Sequence, residues 1–533
     1  MNLVVKSTCI YDSIGDLPFA GYIEIEDDRI KKIVKGESSC YSDKNRYEVY
    51  DCGDRTITAG IIDSHVHLFL GSLHNATVDI FDTDTEEEAA ECLYDFYKNR
   101  DDEWVIGFRW CQFKWPDEKL PSKASLDKYF PDRPVVAFND ELHGIWVNSK
   151  ALEICGIDKD TQDPDGGTIV RDENGEPTGF LLEQSAMELV TKKALVVSPE
   201  KEEELIKGFI KKAHSKGVTS VGAVQVLRIM KNEACRRLEE KGDLKLRVFF
   251  APHIEMEMKE AVNLRNNYVS DKLKFIGLKG FVDGTPLGHT GYMVEPYSDM
   301  QGFRSEPLMK KEWLDEKSKE CYKNDIAIRL HACGDGAVRM ALDAYDKARK
   351  ELGAKDVRNT IEHIEVLNCD DIKRFAETNT VASIQPTHML MGSLEEHPIF
   401  AMIGAKRAEL AWPGRSLAEN GAVVAFGTDY PIVDMNPADT LYSAVKRRME
   451  NNLPEEGWNP REKFSMAEAI QNSTIGPAYM MHMEDKLGTL EEGKLADINV
   501  FNMNIFENED ELPSAGTDMT VFNGEIVYNK ISD

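Results

Sequence analysis

The middle of this 533-residue chain repeats one pattern, a short apolar run followed by a stretch with helical periodicity. The apolar runs are TITAGIIDSHVH from Thr56, GVTSVGAV from Gly217, LRVFFAPH from Leu246 and FIGLKGFVDG from Phe275. They continue with DIAIRLHACGD from Asp325, NTIEHIEV from Asn359, VASIQPTH from Val381 and AVVAFGTDYP from Ala422. Segments such as PEKEEELIKGFIKKAHSKG and AVRMALDAYDKARKELG separate most of them. Continuous apolar runs suit strands buried on both faces, and parallel strands need crossovers that are usually helices. Eight such units are the count of a closed barrel, so the expected fold class is α/β, a TIM (β/α)8 barrel. An open doubly wound sheet could hold as many strands. No GxGxxG follows a strand and no P-loop is present, which disfavours its nucleotide-binding versions.

A barrel takes roughly 250 residues, so the chain has a surplus, and it lies in two places. Residues 1–56 and 485–533 read as short strands and turns, with Leu3–Val5, Tyr22–Ile25 and Ile30–Val34 at one end and TDMTVFNGEIVYN at the other. Asn523-Gly524 has the form of a hairpin turn. Neither end can bury a core alone, so the two are expected to build one composite β-sandwich-like module. The remaining residues, 57–484, form the barrel domain. Within it, about 70–199 is read as a large insertion after the first barrel strand. It carries Trp104, Trp110, Trp115, Phe138 and Trp146 and either walls the active site or is a packing domain without substrate contact.

Composition narrows the partners. A formal net charge of −30 argues against nucleic acid and anionic membranes as partners. No run of about 18 apolar residues exists, and MNLVVKSTCIYD lacks the layout of a signal peptide. None of the ten cysteines forms a CxxC pair. A cytoplasmic protein with reduced thiols is the expectation, and a homo-oligomer is compatible with it.

The candidate chemistry sits at the strand ends. His65 and His67 in DSHVH occupy positions i and i+2 of a strand, so both rings share a face and can ligate one metal. Later runs carry Lys279 in the fourth strand, His331 at the end of the fifth, His363 at the end of the sixth and Asp429 at the end of the eighth. Barrel enzymes assemble their sites from these ends, and His with carboxylate is the donor set of Zn²⁺ and similar ions.

Taken with ITAGIIDSHVHL, DELHGIWVNSKAL, DPDGGTIVRDENGEPTGFLLE, HACGDGAVRMALDAY, GTDYPI and GTLEEGKLADINVF, these residues resemble the amidohydrolase superfamily. In detail they resemble amidohydrolase family 3, which includes N-substituted formamide deformylases. The resemblance spans about residues 56–502 and implies metal-dependent hydrolysis of an amide-type C–N bond in a small-molecule substrate by a metal-activated hydroxide. It implies that His65 and His67 hold one ion, that His331 and His363 hold a second, and that Asp429 ligates the first and handles the proton. Lys279 matches a position that can be carbamylated by CO2 to bridge two ions; Asp283, two residues past Phe281 on the same face, is the rival anion. The cofactor implied is one or two Zn²⁺, with Fe, Mn or Co as alternatives. His143, His289, His388 and Trp115 are candidates for substrate contact. His289 stands where many relatives carry Arg, and metal binding is a further possibility for it. The alternatives are a deaminase, an ester or lactone hydrolase on the same barrel, or a non-catalytic metal-binding scaffold. A deaminase needs a nearby Glu; by parity Glu365 shares a face with His363 and Glu362 does not.

Overall fold

Eight parallel strands occupy the apolar runs: β1 (Ile61–Val66), β2 (Val218–Val224), β3 (Arg247–Ala251), β4 (Leu278–Phe281), β5 (Ile328–Ala332), β6 (Thr360–His363), β7 (Val381–Ile384) and β8 (Val424–Phe426). The computed structural model describes residues 2–36, 46–116, 119–390, 398–448, 452–507 and 509–531. Ladders run β1–β2–β3 and β4 through β8, all parallel. The pairs His253–Lys279 and Val66–Tyr430 link the two remaining seams. The fourth run is broken: Leu273–Phe275 pairs with β3, and β4 beyond it pairs with β5.

The helix Asp335–Leu352 shows why the intervening segments form crossovers. Val338, Ala341, Leu342 and Tyr345 are buried at helical spacing, while Lys347 and Lys350 face outward in ion pairs with Asp315 and Asp346. The Tyr345 hydroxyl donates to the carbonyls of Ile328 (3.3 Å) and Thr360 (3.2 Å), tying the helix to the strands.

The run TITAGIIDSHVH is not one strand. Thr56–Ala59 pairs with Ile498–Phe501 and with Asn2–Ile10, and β1 starts only after Gly60. Thr56–Ala59 therefore belongs to a sheet built from both chain ends. Its order is Glu525–Asn529, Thr517–Phe522, Ile498–Phe501, Thr56–Ala59, Asn2–Ile10, Phe19–Glu26 and Arg29–Lys35, with Glu48–Asp51 also on Asn2–Ile10. Leu3, Val5, Ile23, Ile25, Ile57, Val500 and Val521 form its core. Asn523 and Gly524 both have positive φ, 52° and 76°, as a tight hairpin turn requires. A Cβ on Gly524 would lie 1.8 Å from the Asp27 carbonyl oxygen, so glycine is needed there.

One buried ion pair joins this sheet to the barrel. Arg247 on β3 donates from Nε and Nη2 to both Asp497 oxygens (2.8 and 2.9 Å), and Nη2 also reaches Asn523 Oδ1 (3.0 Å). Removing one partner leaves the other charge buried and uncompensated, which costs about 3–5 kcal/mol. Asp497→Ala is expected to lower unfolding stability by that amount, read as a drop in denaturant midpoint. An unchanged midpoint would show that the pair does not support the fold.

The chain divides into two compact units. The barrel and the terminal sheet fall in the first, made of Met1–Val66, Ile210–Val224 and Leu238–Asp533. The second comprises His67–Phe209 and Gln225–Arg237. It has its own mixed sheet, ordered Thr168–Arg171, Pro177–Leu182, Gly144–Val147, Val135–Asn139, Val105–Trp110 and Val78–Asp79. Trp110, Trp115, Trp146 and Phe180 make its core. Among the described residues, no helix is long and apolar enough to cross a membrane.

Candidate metal centre

Two strand ends hold the first donors in place. β1 delivers His65, which is 1% exposed. The chain after β8 then turns back on it: Asp429 takes a φ of 62°, and its N–H donates to the His65 carbonyl (2.8 Å). A Cβ on Gly427 would lie 2.7 Å from both Cβ and N of His65, so only glycine permits this approach. Asp63 fastens the same corner, accepting from Thr428 N–H (2.9 Å), Thr428 Oγ1 (2.5 Å) and His65 N–H (3.2 Å). The result sets His65 Nε2 3.3 Å from Asp429 Oδ1.

β5 and β6 bring the second pair. The His331 and His363 rings lie 4.3 Å apart, and His363 is 5.1 Å from His65. In a regular strand Glu362 and His363 would point to opposite faces. His363, however, has a φ of 75° and ends its strand, so its ring joins the cluster while Glu362 also points inward. Glu362 Oε2 meets His65 Nδ1 at 2.8 Å, and its Oε1 accepts from Arg329 Nε at 2.6 Å. Arg329 Nη2 in turn donates to the Ser64 carbonyl (2.8 Å). This carboxylate accepts from His65 Nδ1–H, leaving the Nε2 lone pair for a ligand. After β7, His388 enters with Nε2 4.0 Å from Asp429 Oδ2.

Electrostatics at the centre follow from complete burial. Burial pushes the Lys279 ammonium down to about 8, against the pull of Glu362 and Asp429. Lys279 Nζ has no hydrogen-bond partner and lies 4.7 Å from the Phe281 ring centre. Burial alone would raise Glu362, but Arg329 and His65 outweigh it and hold this carboxyl below the usual range. His363 is pushed well below an ordinary histidine by burial and by His331, so it is a neutral imidazole with a lone pair to give. Burial tends to lower His65, yet Asp429 and Glu362 raise it overall.

The donor set fits a divalent ion. Three groups each bring three ligand atoms within 4.8 Å of one another: His65, His67 and Asp429; His363, His388 and Asp429; and His331, Cys333 and His363. Imidazole, carboxylate and thiol are the donors that Zn²⁺ and its neighbours take. The orphaned, fully buried Nζ of Lys279 is the atom a covalent modification would relieve.

Residues 48–528 match the model of the amidohydrolase family. The chain belongs to the amidohydrolase family. This amidohydrolase is a hydrolase acting on carbon–nitrogen bonds. It is 30% identical to Protein LONG AFTER FAR-RED 3 of Arabidopsis thaliana over 99% of this chain and 91% of that one. It is 25% identical to the N-substituted formamide deformylase of Arthrobacter pascens over 85% of each. Among solved structures, an uncharacterized metal-dependent hydrolase from Pyrococcus furiosus superposes with a TM-score of 0.75 at 25% identity, covering 95% of this chain and 100% of that one. The superposition agrees with the TIM-barrel class.

Other residues singled out in the sequence of this amidohydrolase sit differently. Asp283 is not a rival to Lys279: its two oxygens accept the N–H groups of Cys333 (3.0 Å), Gly334 (2.9 Å) and Tyr292 (2.8 Å), and burial pushes it up to about 7. It clamps the loop after β5. His289 pairs with Asp299 (2.9 Å) and belongs to none of the three donor groups. Trp115 is a core residue of the second unit, 5% exposed and stacked 5.7 Å from Trp110. His143 meets Glu183 Oε2 at 3.0 Å, also within the second unit. Parity missed Glu362, and nothing in the sequence pointed to Arg329, Asp63 or Cys333. Their one signal was a charged or sulfur side chain inside or just beyond an apolar run.

Proposed function

We propose that this amidohydrolase cleaves an amide-type C–N bond in a small molecule and needs divalent metal to do so. The observation that carries the reading is the sharing of Asp429 and His363 among three overlapping donor groups. His65, His67 and Asp429 hold one ion; His331 and His363 hold a second. The 25% identity to an N-substituted formamide deformylase favours N-acyl amines as the substrate class. Zn²⁺ suits the donors best, with Fe, Mn or Co as substitutes. Two dications about 3.5–4 Å apart need an anion between them. Lys279 supplies it as a carbamate: its neutral amine adds to CO2, forms an N–C bond and releases a proton. Residues 57–484 make the catalytic domain, with 1–56 and 485–533 as a composite β-module and about 70–199 as an insertion. The enzyme works in the cytoplasm.

A divalent ion held by these donors would supply a water nucleophile at neutral pH and polarise the scissile carbonyl. Asp429 is placed to accept the proton of the attacking water at a carboxylate oxygen. It then passes the proton to the departing nitrogen, which would otherwise leave as an unstable amide anion. Glu362 keeps the His65 ring in the required tautomer, and Arg329 keeps Glu362 ionised. His388, beside Asp429, is placed to touch the substrate; His143 is a second candidate for that role.

Glu362→Gln is expected to weaken metal affinity by about 10–100-fold, since groups that orient a ligating imidazole matter to that degree. Competition with a chelator measures it, and unchanged affinity would remove Glu362 from this role. The reading as a whole is tested on a panel of N-formyl and N-acetyl amines, with esters and amino-heterocycles alongside. Amine release that stops on chelation and returns with metal supports it. Turnover of esters or ring amines alone, or activity indifferent to chelation, refutes it.

A further inference from the structure

We propose that Cys333 is a sulfur ligand of the second metal ion, completing a His331–Cys333–His363 set. The proposal rests on the metal-dependent reading above and adds a donor that reading does not contain. Cys333 lies two residues beyond His331, just past the end of β5. It is fully buried, and its Sγ is 3.3 Å from His331 Nε2. A nitrogen about 2.0–2.1 Å and a sulfur about 2.3 Å from one tetrahedral ion stand roughly 3.5–3.6 Å apart, so the observed spacing needs little adjustment. The His363 donor lies within 4.8 Å of both.

The thiol is held there by construction. Asp283 clamps the backbone of Cys333 and Gly334, and a Cβ on Gly334 would strike the Tyr292 carbonyl oxygen at 2.3 Å, so the loop has little room to shift. Lys279 Nζ is fully buried without a hydrogen-bond partner, and Cys333 is among the groups acting on it. On binding, the S–H bond is exchanged for an S–metal bond and the proton leaves to solvent. A thiolate adds one negative charge to an otherwise neutral imidazole pair. It also biases the second site towards Zn²⁺, Co²⁺ or Cd²⁺ and away from Mg²⁺ and Mn²⁺.

Zinc-edge X-ray absorption on the zinc-loaded protein tests this. The expected result is a sulfur shell at about 2.3 Å in the wild type, absent from Cys333→Ala. Cobalt loading should show the same loss, as a thiolate-to-cobalt charge-transfer band present in the wild type and missing from the variant. Zinc bound through nitrogen and oxygen shells alone overturns the assignment while leaving the metal-dependent reading intact. So does a sulfur shell that persists in Cys333→Ala. A wild type that takes up no zinc, with no response to His331→Ala, overturns both. Cys333→Ser serves as the conservative variant if the alanine form does not fold.

Discussion

Asp429→Asn is expected to keep its fold and lose nearly all turnover. The substitution preserves shape, and the contact that places the residue runs through its backbone N–H to the His65 carbonyl. What disappears is a carboxylate oxygen able to take a proton. A general base contributes roughly 10²–10⁴-fold. Asp429 also belongs to two of the three donor groups, so lost ligation adds to the deficit. The measurement is kcat on the best N-acyl substrate, with circular dichroism and metal content recorded beside it. Turnover within a few-fold of the wild type would show that proton transfer uses another group, and His388, 4.0 Å away, would be the one to test next.

Lys279→Ala is expected to reduce the metal content from two ions per chain and to lose activity with it. Short carboxylic acids should restore part of both, because a small carboxylate can enter the vacated space and serve as the bridging anion. The same residue gives a pH dependence with a definite sign. The amine must be unprotonated to add CO2, and burial lowers its pKa to about 8 from an ordinary 10.5. Reconstitution of the metal-free wild type with metal, at a constant concentration of dissolved CO2, should therefore be slow well below about pH 8. It should speed up as pH rises through that value. A mutant that keeps two ions, or a reconstitution rate that falls with rising pH at constant dissolved CO2, would remove the carbamate from the account.

The strand ends were readable because a parallel barrel collects them at one rim. His65, His331, His363 and Asp429 could be picked out as polar residues closing apolar runs, and the structure gathers them with His67 and His388. Parity reasoning failed at Glu362 for a specific reason: it assumes a continuing strand, and His363 at φ 75° ends one. The charges beneath the donors, Arg329 and Glu362, interrupt apolar runs. Sequence alone does not reveal that a barrel interior can bury charges once they pair with each other. TITAGIIDSHVH reads as one strand because Gly60 is the only interruption, yet its two halves serve different sheets. Trp115, one of the aromatics of the insertion, packs in the core of the second unit.

The most direct test of the dinuclear account is anomalous diffraction at the metal edge from metal-loaded crystals grown with bicarbonate. The account predicts two anomalous peaks, one among His65, His67 and Asp429 and one beside His331 and His363, with density for a carbamate on Lys279 between them. A single peak, or an unmodified Lys279 ion-paired with a carboxylate in fully loaded protein, would contradict it.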